Sequence, residues 1–142
     1  MKKVLIVCFI AGAFSVTAGG QKLKESQVSA AAKTAFKNQY PNTAAKWEKE
    51  DGNYEVNFKQ NGKSSSAVIK TDGTIIETET DISINELPQG AQSYIKDHYK
   101  AAKIKEASKI VRANGDVIFE ALVNGKDLMF DSNGKFIEAV KE

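Results

Sequence analysis

The sequence predicts an α+β domain of two tandem α-β-β-β-β repeats, whose strands form one antiparallel eight-stranded sheet with both helices on one face. Three observations predict this fold. An amphipathic helical pattern opens each half of the chain, three Asx-Gly turn signals follow each helix, and these signals come in the same order in both halves. The first repeat spans residues 24–84 and the second spans residues 85–142, within a single structural domain.

The chain begins with a predicted secretory signal peptide over residues 1–18. A positively charged start is followed by the apolar run Val4–Phe14 and by small residues, so cleavage is expected after Ala18 or as late as Gly20. The apolar run is shorter than the roughly 20 residues that a membrane span needs. We therefore expect a periplasmic or secreted protein that is not inserted in the membrane after cleavage.

The mature chain is formally neutral and contains no cysteine. Lys2 and Lys3 are two of the 20 basic residues and the leader holds no acidic residue, so 18 basic residues face 18 acidic ones. A neutral surface of mixed charge argues against binding to nucleic acid or to an anionic membrane. Cys8 also lies in the leader, which excludes disulfides and thiolate metal sites from the mature chain. The oligomeric state stays open.

The first helix is predicted by one apolar stripe and by signals at both ends. Ser26 or Ser29 can cap its start, and Pro41 stops it. Its stripe has helical spacing and consists of Val28, Ala31, Ala32, Ala35, Phe36 and Tyr40.

The second helix carries an equivalent stripe in the second half of the chain. Its start is predicted from Asn85 as the cap and Pro88 in the first turn. Lys100 follows its final tyrosine where the first half has proline, so this helix is expected to run one turn further. The stripe consists of Leu87, Ala91, Tyr94, Ile95 and Tyr99.

Four strands are predicted after each helix, because three Asx-Gly dipeptides divide each half. Asx-Gly favours the type I′ turns that connect antiparallel strands. The dipeptides are Asp51-Gly52, Asn61-Gly62, Asp72-Gly73, Asn114-Gly115, Asn124-Gly125 and Asn133-Gly134. Between the turns, apolar residues alternate along the chain with residues that are expected to point the other way, as in a strand that has one face on a core. The predicted inward residues are Tyr54, Val56 and Phe58 in the first half, and Val117, Phe119, Ala121 and Val123 in the second.

The same alternation predicts a binding surface on the helix-free face of the sheet. Its candidate residues are Glu55, Asn57, Lys59, Ile118, Glu120 and Leu122. Ile118 and Leu122 make the outward side of their strand more apolar than solvation requires, which is typical of an interface. The alternative is that a loop, a neighbouring chain or curvature of the sheet covers them.

This pattern resembles the PepSY-like, β-lactamase-inhibitor-protein-like family of secreted bacterial proteins. The segments that carry the resemblance cover essentially the whole mature chain and include "AFKNQYP", "KWEKEDGNYEVNF", "KTDGTIIETETDI", "YIKDHY", "KIKEASKI" and "LMFDSNGKFIEA". The resemblance implies an exported protein with two α-β4 units in a curved sheet. It also implies binding of another protein, since the namesakes bind β-lactamases or peptidases. No contact residue of a namesake matches a motif of this chain.

No residue cluster predicts an enzyme, a metal site or a cofactor. His98 lacks a partner for a catalytic triad or a zinc site, so we expect it beside the core or in solvent. A calcium loop starting at Asp131 would have Gly134 at position 4 and Lys135 at position 5, which is the wrong pattern and favours a hairpin turn. The only tryptophan, Trp47, is predicted to lie in the core.

Two acidic runs, Glu48–Asp51 and Glu77–Asp81, are interpreted as parts of solvated strands. Alternate residues of a strand point to opposite faces, so these carboxylates are not expected to converge.

Two functions remain at this point. The first is an exported non-catalytic binding module, such as an inhibitor or modulator of an envelope or secreted enzyme, that acts through the open sheet face. The alternative is an envelope protein that binds a small ligand or a metal through the acidic strands.

Overall fold

The computed structural model describes residues 20–141, so the predicted signal peptide lies outside the described residues. The helices are α1 (Ala30–Gln39) and α2 (Gln89–His98), and a short 3-10 turn precedes each of them, Glu25–Gln27 and Ile84–Glu86. The strands are β1 (Gln21–Leu23), β2 (Lys46–Glu50), β3 (Asn53–Gln60), β4 (Lys63–Ile69), β5 (Ile75–Asp81), β6 (Ile104–Arg112), β7 (Val117–Val123), β8 (Lys126–Asp131) and β9 (Phe136–Lys141).

Within residues 20–141 the strands form one open antiparallel sheet of nine strands, in the order of the sequence. The prediction of eight strands was therefore wrong by one. The additional strand is β1, which pairs with β2 so that Leu23 lies opposite Trp47. A three-residue edge strand is too short to show the alternation by which strands are recognised.

The six Asx-Gly dipeptides form two kinds of turn. Both residues have positive φ at Asp51-Gly52, Asn61-Gly62 and Asn124-Gly125, as the predicted type I′ turns require. At the other three dipeptides only the glycine has positive φ, so the type I′ prediction was wrong there. Each of these loops has three residues between the two hydrogen-bonded residues that close it. At the turn of Gly73, for example, Lys70 N–H donates to Thr74 O and Gly73 N–H donates to Lys70 O, both at 2.9 Å.

The ends of α1 agree with the prediction, whereas the start and the end of α2 do not. Ser29 caps α1, because its Oγ accepts a hydrogen bond of 3.2 Å from Ala32 N–H. For α2 the predicted cap was wrong, since Asn85 lies in the preceding 3-10 turn and Pro88 is the residue before the helix.

The prediction that α2 runs one turn further than α1 was also wrong. It ends at His98 and spans ten residues, as α1 does. After α2 the chain changes direction at Ala101, which has a φ of 60°. After α1 it does the same at Asn42, which has a φ of 59°.

Two apolar core clusters hold the sheet and the helices together, one around each helix. In the first, Phe36 of α1 packs against the rings of Tyr40, Trp47 and Phe58, with centroids 5.1–5.6 Å apart. Trp47 is buried, as predicted. The second cluster is mostly aliphatic, and its buried members are Leu87, Ala91, Ile95, Ala107, Ala121, Val123, Leu128 and Phe130.

Candidate functional site

One face of the sheet carries a group of acidic side chains outside both core clusters, and we call it the carboxylate face. Directly paired residues of antiparallel strands share a face. Glu55 pairs with Val68, which pairs with Glu77, and so these three side chains lie on one face. Continuing the same register across the sheet adds further members, which include Glu48, Asn57, Lys59, Glu79, Asp81, Glu106, Ser108, Ile110, Arg112, Ile118, Glu120, Leu122, Asp127, Met129 and Glu138.

The register of the strands places all six predicted binding residues on this face. Glu55 and Asn57 are half-buried and Lys59 is exposed on β3, whereas Ile118, Glu120 and Leu122 on β7 are only 8%, 5% and 6% exposed. The structure therefore shows no exposed apolar patch at Ile118 and Leu122. The two groups are also separated by β4, β5 and β6, a distance of roughly 19 Å at the usual spacing between strands.

The sequence interpretation missed two buried acidic residues near the centre of this face. Glu77 and Glu79 are buried, so the interpretation of residues 77–81 as a solvated strand was wrong for them. Glu77 and Glu79 do not diverge, because residues two positions apart in a strand point to the same face. Glu48 of the other acidic run is buried too, so the same interpretation of residues 48–51 was wrong for Glu48. The alternation of acidic residues with threonine in "ETETD" was the available signal.

Neighbouring carboxylates of the face differ in whether they have a cationic partner. Arg112 Nε donates to Glu77 Oε2 at 2.9 Å, which neutralises Glu77. Within the part of the chain that the structure describes, Glu79 Oε2 has no hydrogen-bond partner, and neither has the buried Ser108 Oγ. An unsatisfied buried polar atom costs about 1–3 kcal/mol. The cluster thus contains unused hydrogen-bonding capacity.

Burial also changes the acidity of two of these groups. Burial raises the pKa of Glu79 to about 7, with smaller contributions in the same direction from Asp81, Glu77 and Glu55. Ser108 lies near Glu79 and moderates this rise in pKa, although the two side chains do not meet hydrogen-bond geometry. At neutral pH Glu79 is therefore close to half-protonated.

Glu120 is affected more strongly than Glu79. Burial raises its pKa to about 9, and the next largest contributions are the charges of Glu79 and Asp127. Glu120 is therefore protonated and uncharged at neutral pH. Protonation removes the cost of burying an unpaired carboxylate.

Other candidate groups from the sequence lie elsewhere. His98 is exposed, as predicted, and stacks on Tyr94 with ring centroids 4.0 Å apart. The carboxylate of Asp131 accepts hydrogen bonds from Asn133 N–H and Lys135 N–H at 2.9 Å, which agrees with the predicted hairpin turn. Among residues 20–141 no group of three or more His, Asp or Glu side chains is arranged to hold a metal ion.

Comparison with known proteins identifies one family. The family model described as beta-lactamase-inhibitor-like and PepSY-like matches the chain over residues 14–76 and again over residues 53–138. No protein with a curated description matches the chain.

Solved structures from Bacteroides share the fold. A protein of Bacteroides eggerthii described as periplasmic is 16% identical, with a TM-score of 0.74 over 79% of this chain and 87% of its own. A DUF2874 family protein of Bacteroides uniformis is 17% identical, with a TM-score of 0.72 over 79% and 88% of the two chains. A BLIP-like protein of Bacteroides fragilis is 25% identical, with a TM-score of 0.67 over 79% and 84%.

The predicted location, periplasmic or secreted, agrees with the periplasmic description of the Bacteroides eggerthii protein. Among residues 20–141, none of the helices has the length and apolar character that crossing a membrane requires.

Proposed function

The chain belongs to the beta-lactamase-inhibitor-like, PepSY-like family, and we propose that it is an exported, non-catalytic module that binds another protein through its carboxylate face. The partner is an envelope or secreted enzyme that the module inhibits or modulates. One observation carries this proposal. Glu79 Oε2 and Ser108 Oγ are buried on the carboxylate face without a hydrogen-bond partner within residues 20–141, and a bound protein can supply one.

The proposal includes the arrangement of both helices on the opposite face. Phe58 belongs to the core of α1 and pairs with Ser65, which pairs with Thr80. Thr80 pairs with Lys109, and Lys109 pairs with Phe119, which packs against the core of α2. Because paired residues share a face, this register supports two helices on one side and a carboxylate face without a helix.

The duplication of an α-β4 unit is part of the same proposal. In each half the third hairpin loop approaches the start of its helix. A Cβ atom added to Gly73 would lie 2.9 Å from Ala31 O, and one added to Gly134 would lie 2.7 Å from Ala91 N. Equivalent contacts at equivalent positions support two copies of one unit.

The dimensions and chemistry of the carboxylate face favour a protein over a small ligand. Nine strands at the usual spacing make a surface roughly 40 Å across, which suits an interface of about 800 Å² per partner. Polar residues such as the half-buried Asn57 and the exposed Lys59 lie at the side of this face, as residues at the rim of a protein interface do.

Site-specific photo-crosslinking tests the proposal. In the test variant a photoreactive residue replaces Asn57 on the carboxylate face, and in the control variant it replaces the exposed Lys37 on α1. Each variant is mixed with the envelope fraction of its organism and irradiated. We expect one defined crosslinked protein from position 57 and none from position 37. A crosslink from position 37 alone would contradict the proposed surface, and so would the absence of a crosslink from both positions.

A further inference from the structure

Three neighbouring strands place three polar side chains together at the centre of the carboxylate face. Glu79 lies on β5, Ser108 on β6 and Glu120 on β7, and Ser108 pairs directly with Glu120. Glu79 lies diagonally from Ser108, since it pairs with Ile110 and Asp81 pairs with Ser108. The short serine side chain therefore lies between two longer glutamates, whose strands are roughly 10 Å apart.

These side chains are buried without the partners that buried polar groups normally have. Glu79 is 5% exposed and Ser108 is 4% exposed, and Glu79 Oε2 and Ser108 Oγ accept or donate no hydrogen bond within residues 20–141. Glu120 forms no ion pair among the described residues, in contrast to Glu77 with its Arg112. The unused capacity consists mainly of oxygen acceptors, which calls for a ligand that donates hydrogen bonds.

We propose that Glu79, Ser108 and Glu120 form a receptor for the ammonium group of one lysine side chain presented by the partner protein. This inference rests on the proposed function of the carboxylate face. An ammonium group has three N–H donors and no acceptor, so it can satisfy one oxygen from each of the three side chains. An ion pair in a buried site is favourable only when such hydrogen bonds are complete.

The surroundings of the cluster favour lysine over arginine. The three oxygens belong to separate side chains on three strands, which suits the three rotatable donors of a compact ammonium better than the planar fork of a guanidinium. Ile110, Ile118 and Leu122 lie beside the cluster, and the four-carbon stem of a lysine is apolar as they are.

Docking of the lysine is expected to release protons. The charged groups that face the cluster are Glu55, Glu77, Asp81, Glu106 and Asp127, together with Arg112, which is already engaged with Glu77. Burial among these groups raises the pKa of Glu79 to about 7 and that of Glu120 to about 9. Bound ammonium favours the ionised carboxylates and lowers both pKa values, so the affinity increases as pH rises from about 6 to 9.

The experiment uses n-butylammonium chloride as a mimic of the lysine side chain and the mature chain as the receptor. Binding is followed by NMR at the amides of Ser108 and Glu120. Tetramethylammonium is the matched control ligand, because it has the same charge but no N–H donor. Glu138→Gln is the matched control variant, because Glu138 is half-buried on the same face and is separated from Glu120 by Met129 of β8.

We expect saturable shifts with n-butylammonium, at least tenfold weaker binding of tetramethylammonium, and an affinity that rises by up to roughly tenfold per pH unit. Glu79→Gln with Glu120→Gln should abolish the binding and its pH dependence, whereas Glu138→Gln should leave both unchanged. Equal binding of the two cations, unchanged binding by the double variant, or an affinity that does not rise with pH would each overturn the inference.

The photo-crosslinking from position 57 does not depend on these three residues. If n-butylammonium fails to bind while position 57 still yields a crosslinked partner, the lysine receptor is wrong and the proposed function stands. If both experiments fail, the proposed function is wrong as well.

Discussion

The two faces of the sheet bury side chains of opposite chemistry. On the side that we infer to hold the helices, Val56, Ala67, Ala121 and Leu128 are fully buried beneath apolar partners, which stabilises the fold. On the carboxylate face, acidic groups are buried as well, and burying an acidic group costs free energy unless it is paired or protonated. The first face therefore supplies the stability of the domain, whereas the second retains unfavourable groups that folding alone does not need.

The largest expected effect of a substitution is the loss of an aromatic side chain from the helix side. Phe36→Ala removes a ring that contacts those of Tyr40, Trp47 and Phe58, and we expect it to reduce the free energy of unfolding by about 3–5 kcal/mol. Urea unfolding followed by tryptophan fluorescence measures this. The exposed Asn38→Ala on the same helix is the control and should change the value by less than about 0.5 kcal/mol. A loss below about 1 kcal/mol for Phe36→Ala would show that this core is not tightly packed.

The second effect concerns the close contact between the last hairpin loop and α2. Gly134 has a φ of 81°, and an added Cβ would lie 2.7 Å from Ala91 N and 2.9 Å from Pro88 Cβ. Gly134→Ala should therefore cost about 2–4 kcal/mol in unfolding experiments. Gly125→Ala is the matched control, since its φ is 71° but nothing lies within 4 Å of the added atom, so only the strain of about 1 kcal/mol remains. Equal losses for the two variants would contradict the contact.

The third effect is a pH dependence that arises from the carboxylate face. The pKa values of Glu79 and Glu120 rise from 4.5 in the unfolded chain to about 7 and about 9, so the folded chain binds more protons in this range. The free energy of unfolding should therefore fall as pH rises from about 5 to 9, by at least about 2 kcal/mol, since each unit of pKa shift corresponds to about 1.4 kcal/mol. Thermal unfolding at several pH values measures this fall. Glu79→Gln together with Glu120→Gln should flatten the curve, and a wild-type curve that is already flat would be incompatible with two buried carboxyl groups.

The acid limb of the same curve has another origin and serves as an internal control. Hydrogen bonds from Ser83 and Lys63 lower the pKa of the exposed Glu86 to about 2. The stability that Glu86 contributes is present above about pH 4.5 and is lost as pH falls toward 2. The Gln double variant should keep this acid limb, and Glu86→Gln should reduce it.

The smallest expected effect lies in the turn after α2. Ala101 has a φ of 60°, a conformation that glycine adopts without strain. Ala101→Gly should increase the free energy of unfolding by about 0.5–1 kcal/mol, provided that relief of strain exceeds the entropy of the freer chain. Ala102→Gly is the control and should be destabilising, because Ala102 does not have positive φ. A loss of stability in Ala101→Gly would mean that the turn is not strained.

Local patterns predicted the elements that they specify and missed features that depend on distant neighbours. The stripes of both helices and the alternation in β3 and β7 are periodic, so these elements followed from the sequence, and so did the buried side of β3. In β7 the side that was predicted to face outward is buried as well. The end of α2 did not, because an alanine without a glycine or asparagine signal adopts positive φ at Ala101. The two kinds of Asx-Gly turn share one dipeptide, and β1 is too short to show any period.

The candidate site was predicted only in part, for the same reason. Alternation placed Glu55, Asn57, Lys59, Ile118, Glu120 and Leu122 on one face. The place of Ser108 between Glu79 and Glu120 was not predictable, since it comes from the pairing of β5, β6 and β7, in which residues distant in sequence become neighbours. Burial of Glu79 and Glu120 depends on the same non-local pairing.

Methyl NMR of the wild-type chain, titrated with the partner that photo-crosslinking identifies, shows which face of the sheet binds that partner. The two faces have separate probes, namely Ile110, Ile118 and Leu122 on the carboxylate face and Ile69, Ile95 and Leu128 in the helix-centred cores. We predict that the partner shifts or broadens the first group of signals and leaves the second group unchanged. Changes confined to the second group, or to exposed residues of α1 and α2, would contradict the claim that the carboxylate face binds the partner.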